Sequence, residues 1–205
     1  MFTSQPFSPS ITGQTAMKIA LDVDGVLADL AGMIIRLYEE DTGHRISRDM
    51  ITEWEFWVKL SMTRQEFIDL ITRSWRRWTE LQPIEDDVAE DVEQLNKVGD
   101  VDILTQRPAE TVEYVKQWLK QHGIKYRRFM WVPLKASKTS FIYDVYIDDS
   151  PHLAEKLANT RHTVFLYDQN WNRRVKPAPN IRRISSLDEA YQLLTCGDGF
   201  EQGSV

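Results

Sequence analysis

Two aspartates one residue apart, Asp22-Val-Asp24-Gly25, close a short apolar run over residues 18 to 23. On a strand, alternate side chains face the same way about 6.5–7 Å apart, so both carboxylates enter one site. Anions that close repel, and one of them holds its proton more tightly unless a cation lies beside them. The pattern therefore points to an acid, a bound cation, or both. A calcium loop also uses Asp-x-Asp, but Gly25 falls at the wrong position and Met33 stands where a bidentate glutamate is required. Solvated surface acids do not fit directly after Ile-Ala-Leu.

Three weaker signals follow. A second apolar run, residues 101 to 104, ends in Thr105-Gln106-Arg107. A hydroxyl there, with free backbone N–H groups of the following turn, can bind a phosphate oxygen, although threonine at a strand end also serves as a turn or cap. Arg107 either adds a phosphate contact or is solvated. Lys135 and Lys138 lie in the loop Lys-Ala-Ser-Lys-Thr, where a lone lysine ordinarily faces water. Val145-Tyr-Ile147 ends in Asp148-Asp149. Adjacent carboxylates on a strand end point oppositely, so one can ligate an ion while the other orients its neighbours.

The elements that must position these residues alternate. Strands are expected at 18 to 23, 101 to 104, 129 to 132, 145 to 147, 163 to 166 and 181 to 184. Leu27, Leu30, Ile34, Leu37 and Tyr38 line one helix face, with Gly43 as its stop. Val88, Val92 and Leu95 line another, closed by Gly99. Val112, Val115, Trp118 and Leu119 line a third, ending at Gly123, with Pro108 as its first-turn residue. Further helices are expected after Pro151 and Ser186. Such alternation predicts a doubly wound α/β fold with a mainly parallel sheet and right-handed crossovers. Residues 30 to 80 interrupt it and read as a helical cap inserted after the first strand, with a capping box at Thr63 and Glu66. The expected core is 17–29 with 81–195. Residues 1–16 read as a disordered leader and 196–205 as a flexible tail. In open α/β sheets ligands bind beyond the carboxyl ends of the strands, which is where every signal above falls.

Composition narrows the function. Of 205 residues, 25 are basic and 31 acidic, a net charge of −6 that argues against binding polyanions through bulk charge. A single cysteine, Cys196, excludes an internal disulfide and a cysteine metal cage. No run approaches the ~20 apolar residues of a membrane span. The expectation is a cytoplasmic globular protein with no membrane partner.

The order Asp-x-Asp, Thr, Lys, Asp-Asp at successive strand ends resembles the haloacid dehalogenase superfamily of phosphotransferases, from residue 17 to about 194. The second aspartate is the phosphatase form. Asp22-Val-Asp-Gly-Val-Leu-Ala-Asp29, Lys138-Thr-x6-Tyr-Ile-Asp-Asp149 and Glu80-Leu-Gln-Pro83 look like the 5′(3′)-deoxyribonucleotidase family. One departure is Thr105-Gln106-Arg107-Pro108 where that family has Thr-Ser-Pro, which leaves the phosphate contact of Gln106 to its backbone N–H. Four of the seven tryptophans, Trp54, Trp57, Trp75 and Trp78, crowd into the cap with Phe56 and Phe67. They either pack the cap or stack on a base, worth about 1–3 kcal/mol each. Phe56-Trp57 resembles the family's aromatic pair, and Trp78 falls where it places another pocket aromatic.

The resemblance implies a Mg2+-dependent hydrolase of nucleoside monophosphates. Asp22 is the expected nucleophile and Asp24 the acid and base. Asp22, the Asp24 carbonyl and Asp149 are the expected metal ligands, with Asp148 in support. Thr105, Gln106 and Lys138 are the expected phosphate contacts, and a homodimer is compatible with the family. The rivals are another small phosphate, an oligonucleotide terminal phosphate drawn to Arg73, Arg76 and Arg77, and a non-catalytic nucleotide-binding module.

Overall fold

The computed structural model describes residues 16–196; all but the last residue of the expected leader and all but the first of the expected tail lie outside them. Six strands form one parallel sheet: β1 (Lys18–Leu21), β2 (Asp100–Gln106), β3 (Arg128–Val132), β4 (Val145–Asp148), β5 (Thr163–Tyr167) and β6 (Ile181–Ile184). Their order is β3-β2-β1-β4-β5-β6. The chain winds outward from β1 in one direction, returns to the other side of β1, and winds outward again. Parallel strands need long crossovers, and helices supply them: α1 (Leu30–Thr42), α2 (Arg64–Arg76), α3 (Val88–Val98), α4 (Val112–Gln121), α5 (Pro151–Leu157) and α6 (Leu187–Thr195).

Both faces of the sheet are buried, as a parallel sheet requires. Ile19, Leu21, Ile103, Ile147 and Phe165 join the larger core with Val92, Leu95, Trp118 and Leu187. Ala20, Leu104, Tyr146, Val164 and Leu166 meet Leu153, Ala154 and Leu157 of α5 on the other face. The helix ends are encoded locally. The Asp29 side chain accepts from Gly32 N, and Gly43 closes α1 in the left-handed conformation at φ 72°. Thr63 and Glu66 form the full capping box of α2. Ser150 caps α5 with Pro151 in its first turn, and Ser186 caps α6. Each such cap contributes about 1 kcal/mol.

One local expectation is corrected. Pro108 does not open α4; it precedes a 3-10 turn, Ala109–Thr111, and α4 begins only at Val112. Gly99 ends α3 in extended conformation, and its hydrogen is needed because a Cβ there would sit 2.6 Å from the Met17 carbonyl. Residues 30 to 80 hold α1, α2 and three 3-10 turns, and α1 packs on α2. Among the described residues, no helix is long and apolar enough to cross a membrane.

Candidate active site

The strand order reverses between β1 and β4, and the crevice beyond that point is the expected ligand site of a doubly wound sheet. Leu21 pairs with Ile147 in register, and Asp22 N donates to the Ile147 carbonyl at 3.0 Å. The residues that follow each strand, Asp22 and Asp148-Asp149, therefore meet. Lys138 Nζ lies 2.6 Å from Asp22 Oδ2 and 2.6 Å from Asp148 Oδ2. All four side chains are buried. Far from facing water, Lys138 is carried in by a 3-10 turn whose N-cap, Ser137, accepts from Thr139 N.

Two carboxylates thus grip one ammonium, and a third, Asp149, lies beside those two. Burial alone would lower the Lys138 pKa, but Asp148 and Asp22 outweigh it and hold the ammonium above its ordinary value. Burial, with Asp22 adding to it and Lys138 opposing, pushes Asp148 up to about 6. Burial and repulsion from Asp148 and Asp22 raise Asp149 well above the usual carboxylate range. The site is short of positive charge. One oxygen from each of Asp22, Asp148 and Asp149 can come within 4.8 Å of the others, and Asp22 Oδ1 is buried with no hydrogen-bond partner. A set of oxygen donors with an orphaned carboxylate oxygen suits a hard divalent cation. Both Asp148 oxygens are engaged, Oδ1 by Ser150 N and Oδ2 by Lys138. Asp148 is thus fitted to orient its neighbours, and Asp22 and Asp149 to ligate.

Gly25 makes room for this cluster. Its φ is +74°, and a Cβ there would fall 2.2 Å from Asp149 Oδ2. The segment after β5, for which the sequence reading had no role, braces the same point. Trp171 Nε1 donates to Asp149 Oδ2 at 3.1 Å, Asn172 Nδ2 to the Asp149 carbonyl at 2.9 Å, and Gln169 Nε2 to the Gly25 carbonyl at 2.8 Å. The missed signal was the polar run Asp168 to Asn172 directly after an apolar strand, the same cue that marked the other strand ends.

Asp24 faces the site from the side. Its Oδ1 accepts from Trp75 Nε1 at 3.0 Å and its Oδ2 from Arg107 Nη2 at 2.8 Å. Burial raises its pKa, against the pull of Arg107. Arg107 is neither solvated nor a phosphate contact, the two roles its sequence position suggested. It is fully buried, and its Nε donates to the Thr105 hydroxyl at 3.0 Å. That bond leaves the Thr105 O–H free to donate, though Thr105 is buried and does not line the cavity described next. Gln106 does; its side chain donates to the carbonyls of Pro133, Leu134 and Ala136 and holds the loop that leads to Lys138.

A cavity of about 720 Å³ opens over these groups, within the range of small-molecule sites. Asp22, Asp24, Lys138 and Asp149 line its floor. Leu30, Ile34, Phe56, Trp57, Ile68 and Ile71 form its apolar lining together with Arg64, and His152, Glu155 and Lys156 of α5 line it as well. Of the aromatic expectations, Phe56 and Trp57 reach the cavity, with Trp57 stacked on Phe67 at 4.5 Å. Trp54 lines it as well. Trp78 does not; it lies in a 3-10 turn that contacts α4. Trp75 is a buried packing residue whose N–H serves Asp24. Of the Arg73, Arg76, Arg77 stretch, two arginines are held in ion pairs and Arg76 is exposed. Arg73 forms two bonds to Asp41 at 2.6 and 2.7 Å, and Arg77 pairs with Glu40 and Glu80.

Comparison with known proteins agrees with this geometry. The HAD-hydrolase YfnB from Bacillus subtilis, solved bound to magnesium, superposes with a TM-score of 0.56 at 18% identity, covering 89% of this chain and 100% of that one. Protein Tyrosine Kinase A of Mycobacterium tuberculosis gives 0.64 at 13%, covering 89% and 100%. L-2-haloacid dehalogenase from Xanthobacter autotrophicus, with chloropropionic acid covalently bound, gives 0.55 at 11%, covering 90% and 100%. At such identities the likeness is one of fold. No curated protein matches the chain. Residues 16–197 match the family model described as 5′ nucleotidase, deoxy (pyrimidine), cytosolic type C protein. With the match spanning nearly the whole chain, this protein belongs to that nucleotidase family, on a fold it shares with haloacid dehalogenase-type hydrolases.

Proposed function

We propose that the protein is a magnesium-dependent phosphomonoesterase that releases phosphate from nucleoside monophosphates by way of an aspartyl-phosphate. The observation that carries this reading is the convergence of Asp22, Lys138 and Asp149, backed by Asp148, on the floor of a cavity also lined by aromatic and aliphatic side chains. Asp22 and Asp149, with the Asp24 main-chain carbonyl, would hold the ion, and Asp148 would keep Lys138 in place. The ion, when bound, offsets repulsion between the carboxylates and a phosphate dianion.

Asp22 attacks phosphorus in line as the bond to the leaving sugar oxygen breaks. Asp24, beside Asp22 and open to the cavity, gives that oxygen a proton. In the second step it takes a proton from the water that cleaves the aspartyl-phosphate. Lys138 neutralises charge on the transferring oxygens, and because it is anchored on both sides it needs no reorganisation as that charge develops. The apolar wall takes the flat face of the leaving group. Stacking on such side chains does not require a base, so the apolar lining also suits a second reading, a flat apolar phosphomonoester that is not a nucleotide.

A panel of deoxynucleoside monophosphates, ribose 5-phosphate and naphthyl phosphate, assayed with magnesium and with chelator, tests both readings. The nucleotidase reading expects chelator-sensitive release, nucleotides exceeding ribose 5-phosphate by about tenfold or more through stacking. Naphthyl phosphate far above every nucleotide would favour the second reading, and no release from any ester would overturn both. Asp22→Asn should lower turnover by about 10³-fold or more with the melting temperature held.

A further inference from the structure

Arg107 is 1% exposed, and a guanidinium leaves water only where partners hold it. Its partners here are arranged around another residue. Nη2 donates to Asp24 Oδ2 at 2.8 Å, and Nε to the Thr105 hydroxyl at 3.0 Å. The guanidinium lies over the Trp75 ring, 4.6 Å from its centroid. Trp75 in turn donates its indole N–H to the other Asp24 oxygen at 3.0 Å. Trp131 Nε1 fixes the Arg107 main chain through its carbonyl at 2.9 Å. The two oxygens of Asp24 are thus gripped by two side chains that pack on each other, while the Asp24 side chain stays 24% exposed toward the cavity. Arg107 itself does not line the cavity, so it acts on a substrate only through Asp24.

We propose that Arg107 is the positioning residue for proton transfer by Asp24, with Trp75 as the second jaw of the clamp. This rests on the reading of Asp24 as the acid and base given above. As the phosphorus–oxygen bond to the leaving group breaks, its electron pair passes to the leaving oxygen, and that oxygen takes the Asp24 proton. The carboxylate left behind is held in one rotamer by Arg107 and Trp75, facing the water of the second step. Released from the clamp, Asp24 samples other rotamers and meets the leaving oxygen only part of the time.

Leaving-group dependence separates this role from plain structural support. A nitrophenolate departs without a proton, whereas a sugar alkoxide needs one. Arg107→Met should lower kcat/KM for a deoxynucleoside monophosphate by about 30- to 100-fold. For p-nitrophenyl phosphate kcat/KM should stay within about threefold, with a burst of nitrophenolate as the water step becomes limiting. Trp75→Phe keeps a ring beneath the guanidinium and removes only the N–H; it should show the same selective loss on a smaller scale, and it decides the matter if Arg107→Met does not fold. Equal losses on both substrates, or no loss on either, would overturn the proposal. Wild-type protein inert on both would instead overturn the phosphatase reading beneath it.

Discussion

Asp22, Asp24, Asp148 and Asp149 were legible as single letters because each is a charge set directly after an apolar run. Burial without a local reason is rare for such groups. Arg107 and Trp171 were not legible. Arg107 meets Asp24 across 83 positions and Trp171 meets Asp149 across 22, and no spacing rule announces either contact. Gly25 is the residue on which the floor geometry turns. Gly25→Ala imposes a left-handed backbone on alanine and drives a methyl group into Asp149, whereas Gly43, at φ +72°, has nothing within 4 Å. Both substitutions should cost about 1 kcal/mol of stability from backbone strain. Only Gly25→Ala should also lower kcat/KM, by about 10²-fold, since a shift of an ångström at a reacting group costs that much. Paired melting curves and steady-state assays of the two variants check this.

Among the elements, all six strands could be read from periodicity with ends within two residues, and the main helices too, although α1 and α4 begin three or four residues later than their patterns suggested. What periodicity could not supply was how loops are held. Gln106 ends β2, yet its side chain serves the segment after β3, accepting no pattern of its own because its three partners are main-chain carbonyls. Those bonds tie the approach to Lys138 onto the sheet. Gln106→Leu, close in size but without the amide, should therefore loosen residues 133 to 140. The expected result is faster hydrogen exchange there and a fall of about tenfold in kcat/KM, with the melting temperature nearly unchanged. Unaltered exchange in that loop would deny Gln106 this role. At Pro108 the φ of −57° suits a helix start, but the ψ of 136° is extended, an angle that proline itself leaves free.

For the molecule as a whole, strand order followed from the alternation of elements only as a class; which strand lies at the centre is set by packing. One global property can be derived from charges away from the site. α3 packs on α6, and Asp91 of α3 sits among Glu85, Asp188, Asp87 and Glu90; burial first and then these neighbours push its pKa to about 6. An unfolded aspartate releases its proton near pH 4. Between about pH 4 and 6 the folded chain therefore binds more protons than the unfolded one, so this residue's contribution to stability falls as pH rises through that window. Asp91→Asn should raise the melting temperature at pH 7.5 by about 2–4 °C, a modest gain because the residue is half-exposed. The gain should vanish near pH 4, and a gain independent of pH would exclude the charge as its cause.

The placement of β1 at the middle of the sheet has a consequence for synthesis. Its partners are β2, beginning at Asp100, and β4, beginning at Val145, so on the ribosome β1 waits more than a hundred residues for its second neighbour. Until then Ile19, Ala20 and Leu21 present an open edge, the kind of surface on which nascent chains pair with one another. The cluster is completed later still, when Gln169, Trp171 and Asn172 emerge to brace Gly25 and Asp149. Fragments that stop short of them carry every acidic group of the floor and still leave it unbuttressed.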